Sequence, residues 1–291
     1  MEVIDRILDW YPWLQRHRPP VVSVLRLEGV IAQSSGMRKG LNLASQAMAI
    51  EKAFSVRNLV AVALCINSPG GSPVQSALIA KRIRDLAEEK SIPVIAFAED
   101  VAASGGYWLA CAGDEVYANE SSIIGSIGVI SGGFGFTELI NKIGIERRLY
   151  ASGDKKSILD PFAPEKPADV KYLKSLQKEI HGTFAKMVKA RRGKRLVGAE
   201  KDIFSGAFWT GSKALEIGLI DGIGDLRSVM RKRFGDKVRL RQIGVPQSFW
   251  RQRLGLSESL GNNAGLLDTE NMATSILSTI EERLTWSRFG L

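Results

Sequence analysis

From residue 21 onward, short apolar runs alternate with helical stretches: "VVSVLRL" (21–27), a helix around 41–55, "LVAVALCI" (59–66), a helix around 74–90, and "PVIAFA" (93–98). Runs of this length with little polar alternation read as strands buried on both faces, and helices placed between them are the connections that parallel strands require. The rhythm therefore predicts an α/β core. It continues with strands at "EVYAN" (115–119), "SIGVIS" (126–131) and "ERRLYAS" (146–152), a helix near 136–143, and a long helical stretch that Pro167 opens and that runs to about 192. "FSGAFWTGSKALEIGLIDGIG" (204–224) reads as a turn and a short helix, followed by another helix and the strand "KVRLRQI" (237–243). The core spans 21–243.

Two flanks differ in pattern. In 1–20, Val3, Ile4, Ile7, Leu8, Tyr11 and Leu14 recur at helical spacing with Trp10 and Trp13 beside them, which predicts an amphipathic segment that docks on the body or a partner, with a membrane surface as the second option. In 244–291, "SESLGNNAG" reads as a linker, and Met272, Ile276, Ile280 and Leu284, four apart with Leu277 beside them, predict a terminal amphipathic helix suited to subunit packing. The longest apolar stretch, "NLVAVALCIN" (58–67), is too short to span a bilayer, and the acidic N-terminus lacks the basic start and apolar block of a signal peptide. The expected location is cytoplasmic, with peripheral contact at the inner membrane as an option.

Composition removes several classes of function. With 45% apolar and 24% charged residues the chain is ordinary globular protein, not a disordered one. Cys65 and Cys111 lie in apolar surroundings and, with only His17 and His181 elsewhere, give no metal-ligand spacing, so no metal and no cofactor is expected. Both read as buried core thiols. The net charge is +9, and six of the ten residues in "KMVKARRGKR" (186–195) are basic, but no aromatic interleaving or nucleic-acid motif accompanies them. The run reads as a solvated helix face, and nucleic acid is not an expected partner.

Two glycine turns carry chemistry. In "CINSPGGSPVQS" (65–76) a buried strand runs into Asn67-Ser68-Pro69-Gly70-Gly71 before a helix begins; glycine there permits positive φ and close approach by a substrate. "PVIAFAEDVAASGGY" (93–107) repeats the plan one unit later, with Ser104 at the turn. The amides of Gly71 and Gly105 could flank one carbonyl oxygen while Ser104 attacks its carbon. Taken singly, either turn more often serves packing or topology.

A serine hydroxyl needs a base within reach. His17 precedes the core and His181 lies within a long helix, so neither sits where a triad predicts one. A lysine can serve if it is neutral, and "YASGDKKSILDPFAP" (150–164) offers Lys155 and Lys156 after a predicted strand, where alternation would turn at most one toward the serine. Three motifs are decoys. Ser152-Gly-Asp-Lys155 lacks its partner motifs, "GAFWTGSK" (206–213) inverts the end of a phosphate loop, and "SGGFGF" (131–136) is an incomplete dinucleotide pattern.

"NSPGG", "AASGGYW", "GSIGVI", "SGDKKSILDPF" and "WTGSKALEIGLIDGIG" occur in the order found in signal peptide peptidase A, or protease IV, and its short bacterial relatives, so that residues 21 to about 235 resemble that family. The resemblance implies a crotonase/Clp protease-like α/β core of repeated β-β-α units with helical N- and C-terminal extensions. It implies a Ser-Lys dyad: Ser104 as nucleophile, Lys156 of the Gly153-to-Ser157 pattern as base, Ser126 as the residue orienting the lysine, and Gly71 and Gly105 as oxyanion donors. It further implies peptide or unfolded-protein substrates, among them remnant signal peptides, and a homo-oligomeric ring in which the lysine can come from a neighbouring subunit. The amphipathic start, where membrane members carry a spanning helix, leaves the signal-peptide substrate an open choice. Two other readings stand beside it: a crotonase-type acyl-CoA hydratase or isomerase using Glu99 and Asp100, and a catalytically silent scaffold.

Overall fold

The computed structural model describes residues 19–33, 40–244, 283 and 285–290. The predicted amphipathic segment at the N-terminus, the linker and most of the predicted C-terminal helix lie outside the described residues.

The sheet is built from β1 (Val21–Glu28), β2 (Leu59–Ser68), β3 (Val94–Ala103), β4 (Glu115–Ala118), β5 (Ile123–Gly125), β6 (Phe208–Thr210), β7 (Gly222–Ile223) and β8 (Arg239–Ile243). Its order is β6-β5-β3-β2-β1-β8, with β4 paired to β3 and β7 to β4. Every pairing is parallel except β5 with β6. The helices are α1 (Leu43–Ala53), α2 (Pro73–Lys90), α3 (Gly105–Ala110), α4 (Thr137–Lys142), α5 (Pro167–Arg192), α6 (Glu200–Ile203), α7 (Gly211–Glu216) and α8 (Leu226–Phe234).

One register detail explains the repeat. Ile95–Ala98 of β3 pair with β4, whereas Val101–Ala103 of the same strand pair with β5. The β2–β3 ladder shifts at the same level, between Ile66 and Ser68, and Ile31 bridges Gly71 in parallel just beyond the ends of β1 and β2. Each unit thus supplies a long ladder segment, a short second-ladder segment and then a helix, which is the expected β-β-α repeat.

The main ladder is buried on both faces, as its apolar runs predicted. One side is a cluster in which Leu25, Leu27, Leu64 and Ile66 meet Ile50 of α1 and Ile79 and Ile83 of α2. On the other, Val22, Val24, Ala61, Ala63 and Cys65 meet Met230 of α8. Each fully buried large aliphatic side chain stabilises the fold by about 1.5–3 kcal/mol relative to exposure. Local signals set the helix starts. Asn42 Oδ1 accepts from Ser45 N at 2.9 Å while Ser45 Oγ accepts from Asn42 N at 3.3 Å, closing a capping box on α1, and Ser72 caps α2 ahead of Pro73. Cys65 and Cys111 are buried, as expected, and desolvation pushes each thiol up to about 11.

Two predicted strands are not formed. "SIGVIS" follows β5 as irregular chain and "ERRLYAS" runs without strand structure into a turn at 154–159; the strand in this region is Ile123–Gly125 instead. β-Branched content, as in "SIGVIS", or a Leu-Tyr pair, as in "ERRLYAS", makes a strand only where a ladder edge and a covered face exist. Both edges of β5 are taken, by β3 and β6, and Ile130, Phe134, Ile143, Ile145, Leu149 and Tyr150 remain exposed. Residues 129–166 therefore form an arm off the body, which α5 rejoins.

The basic run at 186–195 also departs from its expected role. Arg191 Nε donates to the Cys111 carbonyl at 2.8 Å, and its Nη2 donates to the Gly113 carbonyl at 2.8 Å. Arg192, 2% exposed, pairs with Asp221 through both terminal nitrogens at 2.7 and 3.0 Å and donates from Nε to the Gly218 carbonyl. Arg195 joins the same Asp221 at 3.1 Å. Burial alone would push the Asp221 carboxyl up, but Arg192 and the Val116 amide hold it below the usual carboxylate range. Half of the run is consumed in seating the end of α5 against the end of α3 and against Gly218 and Asp221, and of its other basic residues only Lys186 and Lys194 are plainly exposed and without ion pairs among the described residues.

Among the described residues no helix is long and apolar enough to cross a membrane, and no group of three or more His, Cys, Asp or Glu is placed to hold a metal.

Candidate active site

The strand-to-helix turn after β2 is held in shape from two sides. Ser68 Oγ accepts from the Gly70 amide at 3.2 Å, while Ile31 clasps the turn through Ile31 N to Gly70 O at 2.8 Å and Ser72 N to Ile31 O at 2.7 Å. These bonds use the groups on either side of the Gly71 amide and leave that amide with no protein acceptor among the described residues.

Ser104 ends β3 and precedes α3. Its amide donates to the Gly125 carbonyl at 2.7 Å, and its carbonyl accepts from Trp108 N at 3.0 Å. Pinned on both sides, it holds φ +53° and ψ −121°, a conformation that costs a non-glycine residue about 1–3 kcal/mol. The half-buried hydroxyl makes no hydrogen bond to any described residue. Gly105 is the first residue of α3, so its amide has no acceptor one turn back, and none elsewhere among the described residues.

Packing brings these groups together. A Cβ on Gly70 would lie 2.7 Å from Ser104 Cβ and 2.7 Å from the Gly105 nitrogen; a Cβ on Gly105 would lie 3.3 Å from the Gly71 nitrogen. The two unpaired amides and the serine therefore adjoin one small space, where a developing oxyanion could accept from both. Ile31, Ser68 and Ser76, whose Oγ a Gly105 side chain would strike, complete the surround. The sequence reading missed all three. Ser68 lay within a quoted motif and Ser76 at its end, but Ile31 sits between a strand and a helix with no local signal.

Ser126 follows β5. The pairing of Ala103 with Gly125 carries it to the side of Ser104, with φ +51°, its amide bonded to Ala207 O at 2.7 Å and its side chain free of hydrogen bonds to described residues. Ser104, Gly71, Gly105 and Ser126 thus share one region.

Lys156 does not join them within this chain. It lies exposed on the arm, in the turn 154–159, with its amide bonded to Gly153 O at 3.1 Å and its ammonium without a partner among the described residues. The turn is not extended, so strand alternation does not distinguish the two lysines. A ring contact does: Lys155 Nζ lies 4.6 Å over the Tyr172 ring of α5, which leaves Lys156 uncommitted. His181 Nε2 is buried without a partner on α5, and His17 is outside the described residues. Glu99 is engaged by Arg26 at 2.5 Å and Asp100 by Asn67 Nδ2 at 2.8 Å.

Residues 87–237 match the model of peptidase family S49. A putative protease of Synechocystis is 32% identical over 265 residues, which cover 88% of this chain and 92% of that protein. A putative signal peptide peptidase SppA of Enterococcus faecium is 30% identical over 205 residues, 69% of this chain and 59% of that protein. A Brucella abortus protein named Na(+)/H(+) antiporter NhaA is 50% identical over 275 residues, 93% of this chain. The chain spans only 37% of that protein's length, so the antiporter name belongs to a chain most of which lies outside the match. The family match and the two relatives named as peptidases or proteases agree with the serine-centred turn: this chain belongs to peptidase family S49.

Proposed function

We propose that the protein is a serine endopeptidase in which Ser104 and Lys156 act as a dyad through an acyl-enzyme. The observation that carries this reading is the convergence of two unpaired amides, those of Gly71 and Gly105, on a strained serine whose hydroxyl has no other partner. Neutral Lys156 takes the hydroxyl proton as Ser104 attacks a peptide carbonyl, Ser126 orients the amine, and the two amides stabilise the tetrahedral oxyanion. The lysine then protonates the leaving amine, and water deacylates the ester by the same route. One oxyanion donor of this kind contributes about 10²- to 10³-fold to turnover.

In this reading Lys156 reaches the serine of a neighbouring copy. It is exposed and unbonded in its own chain, and it rides on an arm that carries Ile130, Phe134, Leu139, Ile143, Ile145 and Leu149 uncovered, the composition of a subunit contact in a homo-oligomeric ring. The substrates are small or unfolded peptides, including remnant signal peptides, met on the cytoplasmic side. The acyl-CoA reading fares worse, because Glu99 and Asp100, the carboxylates it would need, are already engaged by Arg26 and Asn67.

Digestion of a mixed peptide library by wild type, Ser104→Ala and Lys156→Ala tests the dyad. Each variant alone loses at least about 10³-fold in turnover, and co-assembly of the two inactive variants recovers part of it by pairing an intact serine with an intact lysine. Equal cleavage by all three proteins would return the chain to the silent-scaffold class or to another catalytic site. Two inactive variants with no recovery on mixing would place the lysine in the serine's own chain. Fluorophosphonate labelling of Ser104 separates peptidase from hydratase chemistry.

A further inference from the structure

The turn that carries Lys156 is tied at its base. Arg147 Nε donates to Asp160 Oδ2 at 2.9 Å, and Asp160 Oδ1 accepts from the Phe162 amide at 3.1 Å. The Arg147 guanidinium lies 5.0 Å from the Phe162 ring centroid; that ring packs on Phe136 at 5.5 Å, and the Phe136 amide donates to the Pro161 carbonyl at 2.6 Å. The chain that departs at residue 147 and returns at 160 is thereby closed into a loop, 148–159, with Lys156 near its far end.

What lies behind the loop makes the tie consequential. A cavity of about 240 Å³ is lined by Arg147, Leu149, Ser157, Asp160, Phe162 and Lys166 among others, so this side of the loop is not packed solid. The Asp160 side chain is only 8% exposed, whereas Arg147 is 40% exposed. The Arg147 hydrogen bond, with the Phe162 amide, holds the Asp160 carboxyl below its ordinary range, so the pair is formed at neutral pH. Apart from the Lys155–Tyr172 contact, no hydrogen bond or ion pair among the described residues ties 149–159 to the rest of the chain.

Resting on the dyad reading above, we propose that Arg147 and Asp160 are positioning residues: they hold the 148–159 loop in the geometry from which Lys156 meets the serine hydroxyl. Neither residue touches substrate. Loss of the tie lets the amine drift, and a misplacement of about 1 Å costs on the order of 10²-fold in rate.

The test uses the full chain in its native assembly. Asp160→Asn and Arg147→Gln are each expected to lower kcat by about 10- to 100-fold while leaving KM within about threefold and the melting temperature and oligomeric state unchanged. Raising the pH does not restore the rate, since the defect is one of position rather than protonation. The reciprocal double variant, Arg147→Asp with Asp160→Arg, re-forms the ion pair without the Phe162 amide and ring contacts and recovers kcat to at least about threefold above either single variant. Wild-type kcat in Asp160→Asn overturns the proposal, as does a joint fall of kcat, affinity and melting temperature that the reciprocal variant does not repair. If Lys156→Ala is inactive while Asp160→Asn is normal, only the tie fails. If Lys156→Ala keeps its activity, the dyad reading fails and the tie with it.

Discussion

Ser104 is fixed by main-chain bonds to Gly125 and Trp108 and by a glycine turn packed against its Cβ, whereas Lys156 is fixed by one bond to a residue three positions away. The first belongs to a doubly covered sheet, where position is over-determined and a strained φ can be sustained. The second belongs to an arm with its apolar side chains uncovered and a cavity behind its turn. In the proposed reading, the nucleophile and its oxyanion donors take their preorganisation from one chain. The lysine turn is tied at its base by Arg147 and Asp160, but the apolar face of the arm that carries it stays uncovered.

That contrast can be broken at several places, beginning where the effect is largest. Arg192→Ala removes a buried cation and leaves Asp221 only Arg195 and the Val116 amide, so unfolding free energy from urea melts should fall by about 3 kcal/mol. Smaller or absent loss would mean that the joint between α5 and the Gly218–Asp221 segment is dispensable. Gly70→Ala is expected to follow, since its Cβ would lie 2.7 Å from both Ser104 Cβ and the Gly105 nitrogen at φ +104°. Turnover should drop about 10²-fold with stability reduced by about 1–3 kcal/mol. The matched arm substitution, Gly153→Ala, shares a positive φ of +103° but meets only the flexible Lys156 Cγ at 3.4 Å, and should cost clearly less on both counts.

A pH comparison sharpens the same line. Asp221 has a lowered folded-state pKa, so its contribution is fully present above its unfolded value near 3.9 and is lost as pH falls through the folded one. Wild type should therefore exceed Asp221→Asn by a constant margin between pH 5 and 7, narrowing below about pH 4. A margin as large at pH 2 as at pH 6 would refute the linkage. The smallest effect on folding belongs to the arm surface: Ile143→Ser and Ile145→Ser should leave monomer stability within about 0.5 kcal/mol yet weaken self-association in analytical ultracentrifugation.

The sequence made the body legible because strands buried on both faces are written as uninterrupted apolar runs, and β1 to β3 could be located from that alone. It singled out Ser104 as a candidate through two glycine turns spaced one unit apart, taken together with Lys156 and the ordered motifs of the resembled family. "SIGVIS" and "ERRLYAS" misled because β-branched, apolar or aromatic content records a preference, while strand formation depends on an available edge that no local pattern reveals. The arginines of 186–195 misled for a similar reason: their partners are the Cys111, Gly113 and Gly218 carbonyls and the Asp221 carboxylate, and a carbonyl's availability is invisible in sequence. Lys155 and Lys156 could not be told apart by alternation, and the Tyr172 ring that separates them is contributed from another element.

The long helix α5 has a mechanical meaning. Its 26 residues make a rod of about 39 Å. Near one end Tyr172 touches the lysine turn; at the other Arg191 grips the end of α3, the short helix that begins beside Ser104, while Arg192 grips Gly218 and Asp221. A rod clamped at its base magnifies angular error, and a tilt of about 5° there displaces the far end by roughly 3 Å, the length of a hydrogen bond. The arginine joint therefore acts as a bearing whose tolerance sets how accurately the arm can be aimed, which gives one substitution far from any reacting atom a lever on the chemistry.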